Sequence, residues 1–123
     1  MELNVSSPIL GFENITQYTL KQIDDFFYTL ENGDISFTLI DPAKVRDYTF
    51  DLPAVYAQKL EADRETQLKT LAIVVLQNPI EESVINFLAP VVINEEKKLL
   101  VQVALDEQKY PDFGLAEKIG RYL

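Results

Sequence analysis

Apolar residues recur at every second position along much of this chain, and that period constrains its fold more than any other feature. In 26–30, Phe26, Tyr28 and Leu30 alternate with Phe27 and Thr29; in 35–40, Ile35, Phe37 and Leu39 alternate with Ser36 and Thr38. Successive side chains of a strand point to opposite faces, so each run reads as a strand. Between them stands Glu31-Asn32-Gly33-Asp34. Asn-Gly favours a two-residue type I′ turn because both residues tolerate positive φ. The pattern predicts a β-hairpin over 25–40. A strand at 15–23 precedes it, with Tyr18 and Leu20 on one face, and 2–6 form a short edge strand. Asp41-Pro42 stops the strand 35–40, since proline has no N–H for a ladder. Tyr48, Phe50 and Leu52 then predict another strand, and the run Leu71 to Leu76, apolar on both faces, a central one. Residues 83–94 read as two strand segments with a bend or bulge at Pro90. With Leu99, Val101, Val103 and Leu105 beyond the polar turn 94–98, they predict a second hairpin over 83–105.

Two segments read as helices. Pro53 suits a first helical turn, and Tyr56 and Leu60 stack at i, i+4 in 53–62. Asp112 can cap a helix near 114–122 with Leu115, Ile119 and Tyr122 on one face. No repeat or linker divides the 123 residues. The expected fold is mainly β: one domain over 1–123, a small antiparallel β-barrel of about seven strands with two short helices. Closing the sheet also removes the edges that so many strands would leave open.

The parts available for chemistry are few. The chain has no Cys, His or Trp. It therefore has no thiolate nucleophile, imidazole base or Ser-His-Asp triad, and no zinc site of Cys or His type. Its four glycines, at 11, 33, 114 and 120, make no phosphate-binding loop, and Asn32-Gly33-Asp34 lacks calcium-loop spacing. Carboxylates remain as catalytic candidates. Asp24-Asp25, Glu81-Glu82 and Glu95-Glu96 are adjacent pairs at turns, where neighbours diverge and read as solvated charge. The expectation is a protein that is not an enzyme and needs no cofactor or metal. No apolar run reaches the ~20 residues of a membrane helix, and the first residues do not read as a secretory signal. A cytoplasmic location, with no membrane partner, is expected.

Twenty acidic residues face eleven basic ones, for a net charge of −9. The excess is spread along the chain, 10 against 4 in 1–61 and 10 against 7 in 62–123. A nucleic-acid binder must neutralise phosphates, so direct nucleic-acid binding is not expected. Such a surface instead steers in a basic protein. Candidate protein-binding residues are the amides Asn86, Asn94 and Gln102, set in or beside apolar strands, and the acids Glu81, Glu82, Glu95 and Glu96. Phe87, Val91, Ile93, Val101 and Val103 read as core.

The stretch Asn86-Phe87-Leu88-Ala89-Pro90-Val91-Val92-Ile93-Asn94, followed by Gln102-Val103-Ala104-Leu105, resembles the signature of the FliW family of bacterial flagellar assembly factors. Gly11-Phe12-Glu13, Ile35-Ser36-Phe37 to Asp41-Pro42, Asp47-Tyr48 with Phe50, and Leu71–Val75 are similar to further landmarks of that family, in the same order. The ending, Tyr110-Pro111-Asp112-Phe113 and the expected helix, stands where the family commonly has a Tyr and a basic, His-containing segment. The resemblance implies a regulator that works by partner switching. It would bind and antagonise the RNA-binding translational repressor CsrA, and flagellin would sequester it. A flagellin chaperone that does not bind CsrA is the alternative, and a carboxylate hydrolase with a barrel cleft is a more distant one.

Overall fold

The computed structural model describes residues 1–122. Its strands are β1 (Glu2–Ser7), β2 (Gln17–Gln22), β3 (Phe27–Asn32), β4 (Ile35–Ile40), β5 (Lys69–Val75), β6 (Val84–Ile85), β7 (Val91–Asn94), β8 (Leu99–Gln102) and β9 (Glu117–Lys118). Seven of them close a ring in the order β1-β2-β3-β4-β5-β7-β8 and back to β1. The expected barrel of about seven strands is therefore present, but it is mixed. β1 runs parallel to β8, with Asn4 opposite Leu99 and Val5 opposite Leu100, while every other pair is antiparallel. Parallel strands need a long connection, and β1 and β8 have most of the chain between them. The segment expected as an edge strand is thus the one that shuts the barrel.

Alternation sorts the side chains into an interior and an outer surface. Leu3, Tyr18, Leu20, Leu30, Leu39, Leu71, Val91, Ile93 and Leu100 fill the interior. Ile9, Phe12 and Ile15 of the loop after β1 pack onto this cluster, and the Phe12 ring meets Phe37 edge-on at 5.0 Å. Two apolar clusters lie outside the ring. Ile40, Tyr48, Ala72, Val74, Ile85, Phe87 and Ile119 form one. Leu60, Val92, Val101 and Val103 form the other. Burying one such side chain stabilises the fold by about 1.5–3 kcal/mol. The five residues expected in the core, Phe87, Val91, Ile93, Val101 and Val103, are all fully buried, on both sides of the barrel wall.

The outer clusters explain where the structure departs from the sequence pattern. Residues 48–52 join no ladder. Asp41 caps a 3-10 turn, Pro42–Lys44, that turns the chain onto the outside of the barrel. There Tyr48, Phe50 and Leu52 find apolar neighbours instead of a backbone partner. The helix expected at 53–62 is α1 (Ala54–Lys59), which ends as Leu60 drops into the second outer cluster. The helix expected near 114–122 is absent among the described residues, and Leu123 lies outside them. Glu117 and Lys118 pair with Ile85 and Val84 as β9, and a 3-10 turn, Ile119–Tyr122, follows. Nine residues of isolated helix are marginal in water, whereas this strand satisfies the free edge of β6 and buries Ile119. Leu115, expected on an apolar helical face, is exposed.

Both predicted hairpins shift in detail. The β3–β4 turn is centred on Gly33-Asp34, with Asn32 paired to Ile35. Only Gly33 has positive φ, +57°, which fits glycine leading a type II′ turn instead of Asn-Gly in type I′. The second hairpin is β7–β8 alone, because β6 pairs with β5 and β9. No helix among the described residues is long and apolar enough to cross a membrane.

Candidate protein-interaction surfaces

The break between β6 and β7 is built by the first of the candidate amides. β6 and β7 lie along the same edge of β5, and the segment 86–90 bulges between them. Asn86 Oδ1 accepts from the N–H groups of Leu88 and Ala89, at 3.0 and 3.1 Å, and so caps the bulge. Gln102 accepts from Leu10 N–H at 2.8 Å and donates to the Ala89 carbonyl at 3.2 Å, tying the bulge to the loop after β1. Asn94 is buried at 1% exposure. Its Nδ2 donates to the Leu60 carbonyl at 2.7 Å and its Oδ1 accepts from Lys97 N–H at 3.2 Å, joining the end of α1 to the β7–β8 turn. All three amides are engaged within the chain; Asn86 and Gln102 are only partly covered, and Asn94 offers no surface.

The acids fall into two separate places. Glu81 and Glu82 occupy a 3-10 turn, Ile80–Glu82, that leads into β6, beside the end of β5. Glu95 and Glu96 occupy the β7–β8 turn, beside Lys69 at the start of β5. The seven residues of β5 separate the two pairs by about 20 Å, so they do not form one patch. Glu82 pairs with Lys118 at 2.7 Å and Glu95 with Lys69 at 3.6 Å. Glu81 and Glu96 are exposed and make no ion pair among the described residues. Burial works to lower the Lys69 pKa, but the Tyr28 hydroxyl and the Glu95 carboxylate outweigh it and hold the ammonium above its ordinary value. Exposed pairs of this kind contribute about 0–1 kcal/mol each, so these acids serve the surface more than the fold.

Beside Glu95 opens a groove of about 620 Å³. Residues 48–50 and Leu52 line it on one side, 67–70 on the other, and Asp41, Pro42, Ala43, Val92 and Glu95 complete it. Among the described residues, no three carboxylates come together in a metal-binding group.

One polar constellation has no sequence signal. Arg46 lies over the rings of Phe87 and Phe113, 5.3 and 5.1 Å from their centroids. Its Nη1 reaches Glu117 Oε2 at 3.4 Å, the Tyr122 hydroxyl at 3.3 Å and the Asp112 carbonyl at 3.1 Å. Glu117 also accepts from Gly114 N–H at 2.6 Å and from the Tyr122 hydroxyl. The Arg46 Nη1 hydrogen bonds span 66–76 residues of sequence and fasten the last segment over the first outer cluster. Beneath it, Tyr48 donates to the Phe87 carbonyl at 2.6 Å, and burial pushes its phenol far above the usual tyrosine range.

Residues 2–112 match the family model described as "FliW protein". The flagellar assembly factor FliW of Campylobacter lari is 42% identical over 127 residues, spanning 100% of this chain and 97% of that protein. FliW of Sulfurimonas denitrificans is 40% identical over 126 residues, with 100% and 98% covered. FliW 1 of Wolinella succinogenes is 38% identical over 126 residues, also with 100% and 98% covered. A crystal structure of the flagellar assembly factor FliW superposes with a TM-score of 0.85 over 96% of this chain and 84% of the other. Its 24% identity makes that a likeness of fold. Matched over residues 2–112 by the family model and end to end by the three relatives, the chain belongs to the FliW family.

Proposed function

We propose that the protein is a flagellar assembly factor that works by partner switching: it binds and antagonises the RNA-binding repressor CsrA, and flagellin sequesters it. The observation that carries this reading is the end-to-end similarity to relatives named flagellar assembly factors. The charge supports it. At −9, the chain complements a basic RNA-binding protein, and long-range attraction raises the rate of encounter. The switch needs no chemistry. Flagellin has only to bind well enough, and be abundant enough, to compete by mass action.

The candidate contacts are the exposed acids Glu81, Glu82, Glu95 and Glu96, with Asn86 and Gln102 at the partly covered bulge. Asn94 supports the turn that presents Glu95 and Glu96. Glu81 and Glu96 are the cleanest probes, since reversing them breaks no ion pair. Glu96→Lys is expected to slow CsrA association about threefold at low salt, with less effect at high salt. An unchanged rate removes that turn from the interface.

The test is gel filtration of the purified protein with CsrA, and then with CsrA and flagellin. A CsrA complex that flagellin dissolves supports the switch. A stable flagellin complex with no CsrA complex replaces it with a flagellin chaperone.

A further inference from the structure

The groove beside Glu95 lies between residues 48–52 and the segment 67–70 that enters β5, and each wall keeps backbone groups outside any ladder. Asn86 N–H donates to the Ile73 carbonyl, so odd-numbered residues of β5 turn their backbone groups toward β6 and β7. By strand alternation Thr70 turns its own toward the opposite edge. β4 covers that edge only as far as the pair Ile40–Ala72. Two residues further on, Pro42 has no N–H, and its carbonyl already accepts from Val45 and Arg46. Across the groove, residues 48–52 join no ladder, and among the described residues only Asp51 N–H of their backbone groups is bonded, to the Tyr110 hydroxyl.

The chemistry of the lining is as specific as its shape. Phe50, Leu52, Leu68 and Val92 supply an apolar face that continues the second outer cluster. Asp41 and Glu95 stand on the lining, and Asp51, paired with Lys109 at 3.5 Å, lies on the 48–52 wall. The lining's only cation, Lys69, is already paired with Glu95 and hydrogen-bonded to the Tyr28 hydroxyl.

We propose that this groove takes an extended, Lys- or Arg-bearing peptide segment of a partner protein, added as a strand along the free edge of β5 at Thr70, next to Leu68. Strand addition draws affinity from main-chain hydrogen bonds and selectivity from alternate side chains. Here apolar side chains at every second position would face Phe50, Leu52 and Leu68, and the cations between them would meet Asp41 and Glu95. The site goes beyond partner switching and stands whether or not CsrA supplies the segment.

The experiment is a titration of the 15N-labelled protein with an octapeptide of alternating Lys and Val, followed by amide chemical shifts. Shifts confined to 48–52 and 67–70 are expected, with weakening as salt rises. A Glu-Val octapeptide should not bind, and a Lys-Val peptide N-methylated at alternate residues should bind at least tenfold more weakly, in about the range of lost hydrogen bonds. Asp41→Asn with Glu95→Gln should cost about tenfold, since the Asn keeps the turn cap and only charge is lost. Shifts elsewhere, equal binding of the anionic or N-methylated peptide, or no shifts at millimolar Lys-Val peptide would each overturn the proposal.

Discussion

Replacing Arg46 by Met should loosen the last segment of the chain and destabilise the whole barrel. Arg46 is 21% exposed at its side chain and Glu117 only 9%, so the pair is largely withdrawn from water. Removing one partner of a buried pair costs about 3–5 kcal/mol, because the other charge is left behind. At 3.4 Å the contact is long, and Glu117 keeps Gly114 N–H, the Tyr122 hydroxyl and Arg121 at 3.2 Å. That reduces the ionic share to about 2 kcal/mol. Losing the stacking on Phe87 and Phe113 adds about 1 kcal/mol, partly offset by the methionine's own contact with the rings. The expected loss is about 3 kcal/mol, read in urea as a midpoint lower by about 1–2 M. Glu117→Gln alone should cost less, and the double variant should cost less than the sum of the two singles, by about 1–2 kcal/mol of coupling. Hydrogen exchange should locate the loss, with the Ile119 amide, bonded to the Ser83 carbonyl, exchanging sooner than the barrel interior. A midpoint shift worth under about 0.5 kcal/mol, or simple additivity, would refute the claim that Arg46 fastens this segment.

Three further perturbations follow from the same contacts. Asn94→Ala leaves the Leu60 carbonyl and Lys97 N–H without their partner inside a buried corner; a loss of about 2 kcal/mol and a Tm lower by about 8 °C are expected, and an unchanged melt would contradict the bracing role. Gly120→Ala would bring a Cβ to 2.9 Å from the Glu81 carbonyl, so a cost of about 1–3 kcal/mol is expected by thermal melting, against none if the two segments separate freely. Tyr48 has its folded pKa raised by burial, so its stabilisation is full below its unfolded pKa of about 10 and declines as pH rises beyond it. Tyr48→Phe should lose about 1 kcal/mol at neutral pH with the hydrogen bond to Phe87, yet show a shallower alkaline decline, and an identical slope above pH 10 would refute the assignment.

What the sequence disclosed was whatever depends on neighbours along the chain. The alternation of Phe26 to Leu30 and Ile35 to Leu39 located β3 and β4, and Pro90 marked the bulge between β6 and β7. Burial at Phe87, Val91, Ile93, Val101 and Val103 was legible because a wall lined on both faces leaves no polar alternation. Tyr48, Phe50 and Leu52 misled because alternation reports which face is covered and not whether a backbone partner lies alongside. The segment Leu115 to Tyr122 misled because its helical spacing was competing with a free strand edge about thirty residues earlier. The site was legible in part. The acids at 81, 82, 95 and 96 are on the surface as turn residues should be, whereas the burial of Asn94 and the engagement of Asn86 and Gln102 depend on partners far off in sequence. Nothing local could have joined Arg46 to Glu117, or set 48–52 opposite 67–70.

The central claim is that this protein relieves repression by CsrA until flagellin occupies it. The direct measurement is a gel-shift titration of CsrA on a leader RNA that it binds, with this protein added and then flagellin. The account predicts that the protein releases the RNA, and that flagellin restores the shifted band. An RNA complex unaffected by the protein at saturating concentration would contradict antagonism, and release that flagellin leaves unchanged would contradict the switch.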